Sequence, residues 1–241
     1  TLSSYELLLK GKALHHKVQK DALLNALDTF DSAIKADENN GQAYAWKACA
    51  LGQGLFRGYI EEDFNVVWKQ AQDNLKKARE LNENDFEVHR LMSEVTLAMK
   101  DYRAAQRHSK LAYDMVPNDP RVLSVYGNVC VRTGKVDEGL DALKLALDLD
   151  PIPQGKTNAD PRHAGLLFAF YMSRDKEGCL EQIEYLDEID VRSWLITTKI
   201  CSDEEHEYES LDWFQEGKKL FAEKEWEKVV PDFRLNNDSA S

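Results

Sequence analysis

Few side chains in this sequence have the type and spacing that catalysis or metal binding requires. His15 and His16 are adjacent, so on a helix their side chains point about 100° apart and do not readily share a metal ion. His206 lies in the acidic run 203–209, which could attract a cation loosely but is more typical of a solvated surface. The chain contains no glycine-rich phosphate loop, nucleophile elbow or zinc-protease motif. The sequence therefore predicts no catalytic residue, no metal site and no cofactor.

The cysteines indicate the redox compartment. Cys49, Cys130, Cys179 and Cys201 include no C-x-x-C pair, and this spacing fits neither a disulfide framework nor a zinc knuckle. Cys130 and Cys179 fall at helix-packing positions, where we expect them to behave as small apolar residues. The pattern favours a reducing cytosol, and we expect a cytoplasmic location.

Composition limits the classes of partner. The chain has 241 residues, 43% of them hydrophobic and 31% charged, a balance that supports a sizeable core. Its net charge of -12 repels phosphate backbones and anionic lipids, so nucleic acid and membrane surfaces are not expected partners. The longest apolar stretch, 165–172, is too short to cross a bilayer, and the N-terminus has no signal-peptide pattern. Thr1 in place of an initiator Met predicts a longer parent chain.

An internal repeat defines the elements that position these residues. At an offset of 34 residues, the matching pairs are Ala105 with Gly139, Ala112 with Ala146 and Pro117 with Pro151. Within each unit, apolar residues recur at steps of 3 and 4 over two stretches with a polar turn between them, which predicts a helix hairpin. We predict units at 4–38, 41–84, 86–119, 120–153 and 160–189. The second unit carries an insertion at 52–67.

Helix starts are marked by capping residues. Asp119 and Asp160 each precede a proline, and we predict both as N-caps of first helices. Ser3 and Glu6 have the spacing of a capping box, which predicts that the first helix begins close to the start of the sequence.

Small residues stand where the two helices of a hairpin approach closely. Gly127, Gly139 and Ala146 occupy such positions, where a larger side chain would cost about 1–3 kcal/mol. The pattern resembles the tetratricopeptide repeat (TPR), whose small, aromatic and proline positions are matched by Tyr126, Gly127, Gly139, Ala146 and Pro151. This resemblance implies an all-α fold, a right-handed α-solenoid of about five helix hairpins whose first helices line a concave groove.

The ends of the chain are predicted separately. Segment 190–230 is predicted as a C-terminal helical cap, and 231–241 as a disordered tail. The layout of the whole chain is also similar to the TPR regions that follow the catalytic domain in some bacterial class III adenylate cyclases and certain transcriptional regulators. No cyclase motif accompanies that resemblance.

The predicted groove is the candidate binding site. The inward-facing positions of the first helices are Lys12, His15, Arg90, Glu94, Ser124, Asn128, Arg132, Phe168 and Tyr171. Arginine and asparagine there suit a peptide backbone or carboxylate, and the two aromatic residues offer apolar anchor area. Chaperone-tail receptors resemble one another in a polar clamp, but Ala45, Cys49 and Leu91 stand where that clamp would be expected. The sequence therefore disfavours that role.

These observations predict a non-catalytic protein-interaction module or regulatory scaffold, which binds a peptide, a partner domain or another domain of its parent chain in the groove. One alternative is dimerisation through the aromatic residues Phe56, Tyr59, Phe64, Trp213 and Phe214. A second alternative is a sensor that encloses a small ligand between the insertion and the groove.

Overall fold

The helical periodicity of the sequence is present in a computed structural model, which describes residues 2–154, 156, 158–187, 191–201 and 212–221. Over these residues the chain forms helices and turns, with no β-strand. The helices are α1 Ser4–His15, α2 Lys20–Ala36, α3 Gly41–Phe56, α4 Phe64–Leu81, α5 Phe86–Ala98, α6 Tyr102–Met115, α7 Pro120–Arg132, α8 Val136–Leu149, α9 Asp160–Ser173, α10 Lys176–Ile183, α11 Val191–Cys201 and α12 Asp212–Phe221. The predicted all-α fold class is confirmed.

Consecutive helices pack as hairpins, and the hairpins stack in chain order. The five pairs are α1 with α2, α3 with α4, α5 with α6, α7 with α8 and α9 with α10. The first helix of each hairpin also contacts the first helix of the next, so α1, α3, α5, α7 and α9 form one continuous surface. These five helices are the ones that the sequence predicts to line the groove. The architecture is an α-solenoid.

Glycines allow close helix contact inside the fourth hairpin. A Cβ on Gly127 would lie 2.9 Å from the carbonyl oxygen of Gly139. A Cβ on Gly139 would lie 2.6 Å from Val131 Cγ2 and 2.8 Å from the carbonyl oxygen of Gly127. The turn between α7 and α8 uses Gly134 at φ +88°, in the region that favours glycine. The predicted small-residue contact is therefore confirmed.

Two of the three predicted helix starts are confirmed. Ser3 and Glu6 form the reciprocal capping box of α1, and the Asp119 carboxylate accepts backbone hydrogen bonds at the start of α7. The Asp160 prediction is wrong, because α9 begins at Asp160 itself and Ala159 is its N-cap. The Asp160 carboxylate instead accepts a hydrogen bond of 3.1 Å from the backbone N–H of Asp187.

The segment predicted as an insertion at 52–67 is mostly helical. It includes the last residues of α3 and the first of α4, and only 57–63 separates the two helices. Helices α3 and α4 have 16 and 18 residues, against 13 and 14 in α5 and α6. The turn closes because the N–H groups of Tyr59 and Ile60 both donate to the carbonyl oxygen of Gly54, at 2.8 and 3.3 Å. The second hairpin is thus a lengthened repeat.

The last two helices pack at the end of the solenoid. Helix α11 contacts α9 and α10, and α12 contacts α11. Phe214 is 3% exposed, stacks on Trp194 and accepts a hydrogen bond from its indole N–H at 3.2 Å. The predicted tail, 231–241, and the acidic run with His206 lie outside the described residues. None of the described helices combines the length and the apolar character needed to span a membrane.

Candidate functional site

A buried carboxylate organises the groove. Glu87, near the start of α5, is 2% exposed. It accepts hydrogen bonds from Lys12 Nζ at 3.3 Å, Trp46 Nε1 at 3.2 Å, Arg90 Nε at 3.3 Å and Arg121 Nη1 at 3.4 Å. Burial opposes ionisation, but the three surrounding cations hold the pKa of Glu87 below its ordinary value. One ionised carboxylate therefore connects α1, α3, α5 and α7.

Further acidic groups balance the arginines of this network. Arg90 donates through Nη1 to Glu94 at 2.9 Å, and Arg121 binds Asp119 through Nε and Nη2 at 3.1 and 2.7 Å. Burial opposes the charge on Arg90, but Glu94 and Glu87 raise its pKa. These guanidinium groups are held in fixed orientations by paired, charge-assisted hydrogen bonds.

Arg162 extends the polar network to α9. It is 6% exposed and donates to the backbone oxygen and the carboxylate of Asp150, both at 3.0 Å. Its Nη1 also donates to the carbonyl oxygen of Pro120, at 3.4 Å, and to the hydroxyl of Ser124. Burial lowers the pKa of Arg162, while Asp150 opposes that effect. Arg162 thus connects the start of α9 to α7 and to the end of α8.

These side chains surround a cleft of about 230 Å³ in the groove. Each first helix contributes a polar or aromatic residue to its walls, and these are His15, Trp46, Arg90, Arg121 and Arg162. Pro153 and Gln154, from the segment between α8 and α9, complete the cleft. A pocket with few, convergent polar groups is typical of a binding site.

His15 is the one histidine in the cleft that is more than nine-tenths buried. Its Nε2 lies 3.7 Å from Cys49 Sγ, whereas its buried Nδ1 has no hydrogen-bond partner in the described part of the chain. Burial lowers the pKa of His15 to about 4, and the neighbouring His16 adds to that effect. Burial also raises the pKa of the Cys49 thiol to about 12. At neutral pH both groups are uncharged.

Most of the predicted groove residues converge on this network. His15, Arg90, Glu94 and Ser124 line the cleft, and Lys12 binds Glu87 behind it. Asn128 lies one turn further along α7, where its side-chain amide donates to the carbonyl oxygen of Ser124 at 2.9 Å.

The remaining predicted groove residues form a second cluster. Phe168 is 7% exposed, with the guanidinium carbons of Arg132 and Arg192 at 4.9 and 5.1 Å from its ring centre. Because two cations cover the ring, Phe168 does not offer the open apolar area that the sequence suggested. Tyr171 is half-buried in the same part of the groove.

Sequence reasoning missed Trp46, Arg121 and Arg162. The two arginines could have been found from the sequence, because the tripeptide Asp-Pro-Arg occurs at both 119–121 and 160–162. The offset of 34 residues also places Arg121 on Glu87, so equivalent positions of neighbouring repeats carry opposite charges.

The residues predicted for dimerisation differ in exposure. Tyr59 is half-buried, with its hydroxyl 3.4 Å from the carbonyl oxygen of Val18, and Phe214 lies in the core. Phe64 is 49% exposed. The side chains of Phe56 and Trp213 lie outside the described residues.

Comparison with solved structures defines the fold class. The chain matches PilF of Pseudomonas aeruginosa with a TM-score of 0.63 and 15% identity, over 95% of this chain and 97% of that one. It matches TTC0263, a TPR protein of Thermus thermophilus, with a TM-score of 0.56 and 18% identity, over 83% and 98%. It also matches a chain of the Cut9–Hcn1 hetero-tetramer of APC/C, with a TM-score of 0.53 and 16% identity, over 75% of this chain and 32% of that one.

The fold is that of a TPR helical solenoid. No family model and no curated protein matches the sequence. The solved structures give no support to the resemblance to adenylate cyclases, which stays a prediction.

Proposed function

We propose that this chain is a non-catalytic interaction module or regulatory scaffold that binds a peptide or a partner domain in its groove. The observation that carries the proposal is the shared ion-pair network of the first helices around Glu87. Side chains fixed before binding lose little conformational freedom on binding, so more of the interaction energy appears as affinity. The match to a chain of a hetero-tetrameric assembly is in keeping with such a role.

The proposal includes the parent protein and the cellular compartment of this module. We place it in a longer signalling protein of the reducing cytoplasm, with a layout like that of cyclase-associated repeat regions. The free thiols of Cys49 and Cys130 support the reducing compartment.

Two matched double variants test the groove assignment. Arg90 is unsuitable for substitution because it belongs to the buried network, so the groove variant is Asn128→Arg with Tyr171→Arg. The control is Gln72→Arg with Leu149→Arg, which adds the same charge at exposed positions on second helices. The partner is first identified by affinity capture with the wild-type chain and mass spectrometry.

The dissociation constant of the purified partner then decides the assignment. We expect the groove variant to bind more than about tenfold more weakly and the control to bind as the wild type does. Wild-type affinity in the groove variant, with an unchanged circular dichroism spectrum, would refute binding in the groove.

Dimerisation is a second candidate, favoured by one observation. Phe64 and Val66, at the start of α4, are 49% and 51% exposed and follow the exposed acidic residues 61–63. Light scattering on the full chain at high concentration tests this candidate. A dimer that Phe64→Ser converts to a monomer would support it, and a wild-type monomer would end it.

A further inference from the structure

The cleft contains hydrogen-bond donors that the described residues do not use. A guanidinium group has five N–H donors. Arg90 uses Nε and Nη1 for Glu87 and Glu94, and its Nη2 makes no hydrogen bond to any described residue. Three hydrogen bonds from Arg121, to Glu87 and Asp119, leave two of its N–H donors.

His15, whose ring lines the cleft, has a buried nitrogen without a partner among the described residues. The thiol of Cys49 keeps its proton, because burial raises its pKa, and we assign it as the donor to His15 Nε2. The ring proton of neutral His15 is then on Nδ1, which lacks an acceptor in the described part of the chain. A buried polar group without a partner costs free energy that an acceptor on a ligand would recover.

Guanidinium groups outnumber carboxylates on the cleft walls. Arg90, Arg121 and Arg162 line the cleft together with one carboxylate, that of Glu94. The other carboxylates that pair with these arginines do not line it. Guanidinium groups match the planar geometry of a carboxylate, to which they donate in pairs.

The size of the cleft limits the ligand. About 230 Å³ is less than the roughly 300–1,000 Å³ of sites for drug-sized molecules. We propose that the cleft between His15, Arg90 and Arg121 binds a small organic acid, of the size of a four-carbon dicarboxylate. His15, Arg90 and Arg121 belong to three different hairpins, so binding of such a ligand would couple these repeats. This inference does not rest on binding of a protein partner in the groove.

Calorimetric titration of the full chain with succinate at pH 7 tests the proposal. We expect saturable binding, and succinamide, which has the same shape without the charge, should bind more than about tenfold more weakly. Inorganic phosphate should also bind more weakly. Absence of succinate binding at millimolar concentrations, or equal binding of succinamide or phosphate, would overturn the proposal.

Variants localise the site. His15→Phe keeps a ring of similar size but removes the nitrogens, and Arg121→Gln changes a partly exposed residue that the fold tolerates better than it would a change at Arg90. Each should weaken succinate binding about tenfold. The control is His163→Phe, because His163 is half-buried outside the cleft, where it binds Gln182. Equal affinity in His15→Phe and His163→Phe would contradict the proposed site.

A third comparison distinguishes a free acid from an acidic side chain of a partner protein. N-acetylglutamate N-methylamide presents one carboxylate on a larger, peptide-like body. We expect it to bind more than about tenfold more weakly than succinate, because Pro153 and Gln154 restrict the cleft. If N-acetylglutamate N-methylamide bound more tightly than succinate, the cleft would be a site for an acidic side chain of a partner, and the proposal would be overturned. The variant at Asn128 and Tyr171 should bind succinate normally, which separates this test from that of the groove.

Discussion

The interior of the fourth hairpin and the cleft are held together by different forces. In the hairpin, Gly127 and Gly139 bring two backbones into contact, and apolar side chains fill the remaining space. In the cleft, Glu87 and its cationic partners join helices whose residues are up to 75 positions apart. Close packing stabilises the hairpin, and ion pairs stabilise the helices around the cleft. The two regions should therefore fail under different perturbations.

The largest effect is expected from Glu87→Gln. This change keeps the shape of the side chain but removes the negative charge that Lys12, Arg90 and Arg121 share. Breaking a buried ion pair leaves an uncompensated charge, which costs about 3–5 kcal/mol. Urea denaturation should show this loss in the free energy of unfolding. A loss below about 1 kcal/mol would mean that charge does not hold the cleft together.

Acid should weaken the cleft and the third hairpin through their buried histidines. Burial lowers the pKa of His15, in the cleft, and of His108, between α5 and α6, from 6.5 to about 4. Between these values the unfolded chain binds more protons than the folded chain, so stability falls as the pH drops from about 6.5 towards 4. Each histidine should account for at most about 3 kcal/mol.

Replacing each histidine distinguishes its environment. His15→Phe should reduce the pH dependence with little loss of stability at pH 7. It removes only the weak thiol hydrogen bond of Nε2, and Nδ1 has no partner among the described residues. His108→Phe should also reduce the pH dependence. It should lower stability at pH 7 as well, because the substitution breaks the 2.9 Å hydrogen bond to His89 Nδ1. Denaturation midpoints at pH 7 and pH 5 measure both effects. An unchanged pH dependence in both variants would refute the assignment.

A smaller effect is expected from Gly139→Ala. The added methyl group would meet the backbone of Gly127 and the side chain of Val131, and overpacking of this kind costs about 1–3 kcal/mol. The control is Gly165→Ala in α9, where the nearest atom would be 3.8 Å from the new Cβ. That change should be neutral or stabilising by up to about 1 kcal/mol. Similar melting temperatures for the two variants would contradict the role of glycine contact.

The smallest effect is expected outside both regions. Glu61 pairs with Lys20 at 3.0 Å, but its side chain is 86% exposed. Exposed ion pairs contribute about 0–1 kcal/mol, so Glu61→Gln should leave the free energy of unfolding nearly unchanged. This variant is also the control for Glu87→Gln, since both make the same chemical change. A loss equal to that of Glu87→Gln would show that burial does not determine the cost.

The difference between the hairpin interior and the cleft also explains which features the sequence could predict. Gly127 and Gly139 are close in sequence and recur with the repeat, so helical period and residue size were enough to place the hairpin. The position of Asp160 was misjudged because a proline is tolerated at more than one place in the first turn of a helix. The burial of Phe168 depends on Arg192, which belongs to a helix outside the repeat pattern.

The cleft was less predictable because its members come from five separate helices. Lys12 and Arg90 were expected in the groove, but their shared partner Glu87 was not. Helical period places a residue on a face, but it does not show that a carboxylate near the start of α5 lies close to cations of two other helices. Stacking of the repeats, which the sequence specifies only approximately, brings these charges together.

If the chain recognises a partner through its groove, that partner must lie against groove residues. Photo-crosslinking in cells tests it directly, with a photoreactive amino acid placed at Asn128, in the groove, or at Leu149, on the second helix of the same hairpin. We expect a protein adduct from position 128 and none from position 149. Adducts from position 149 alone, or equally from both positions, would contradict it.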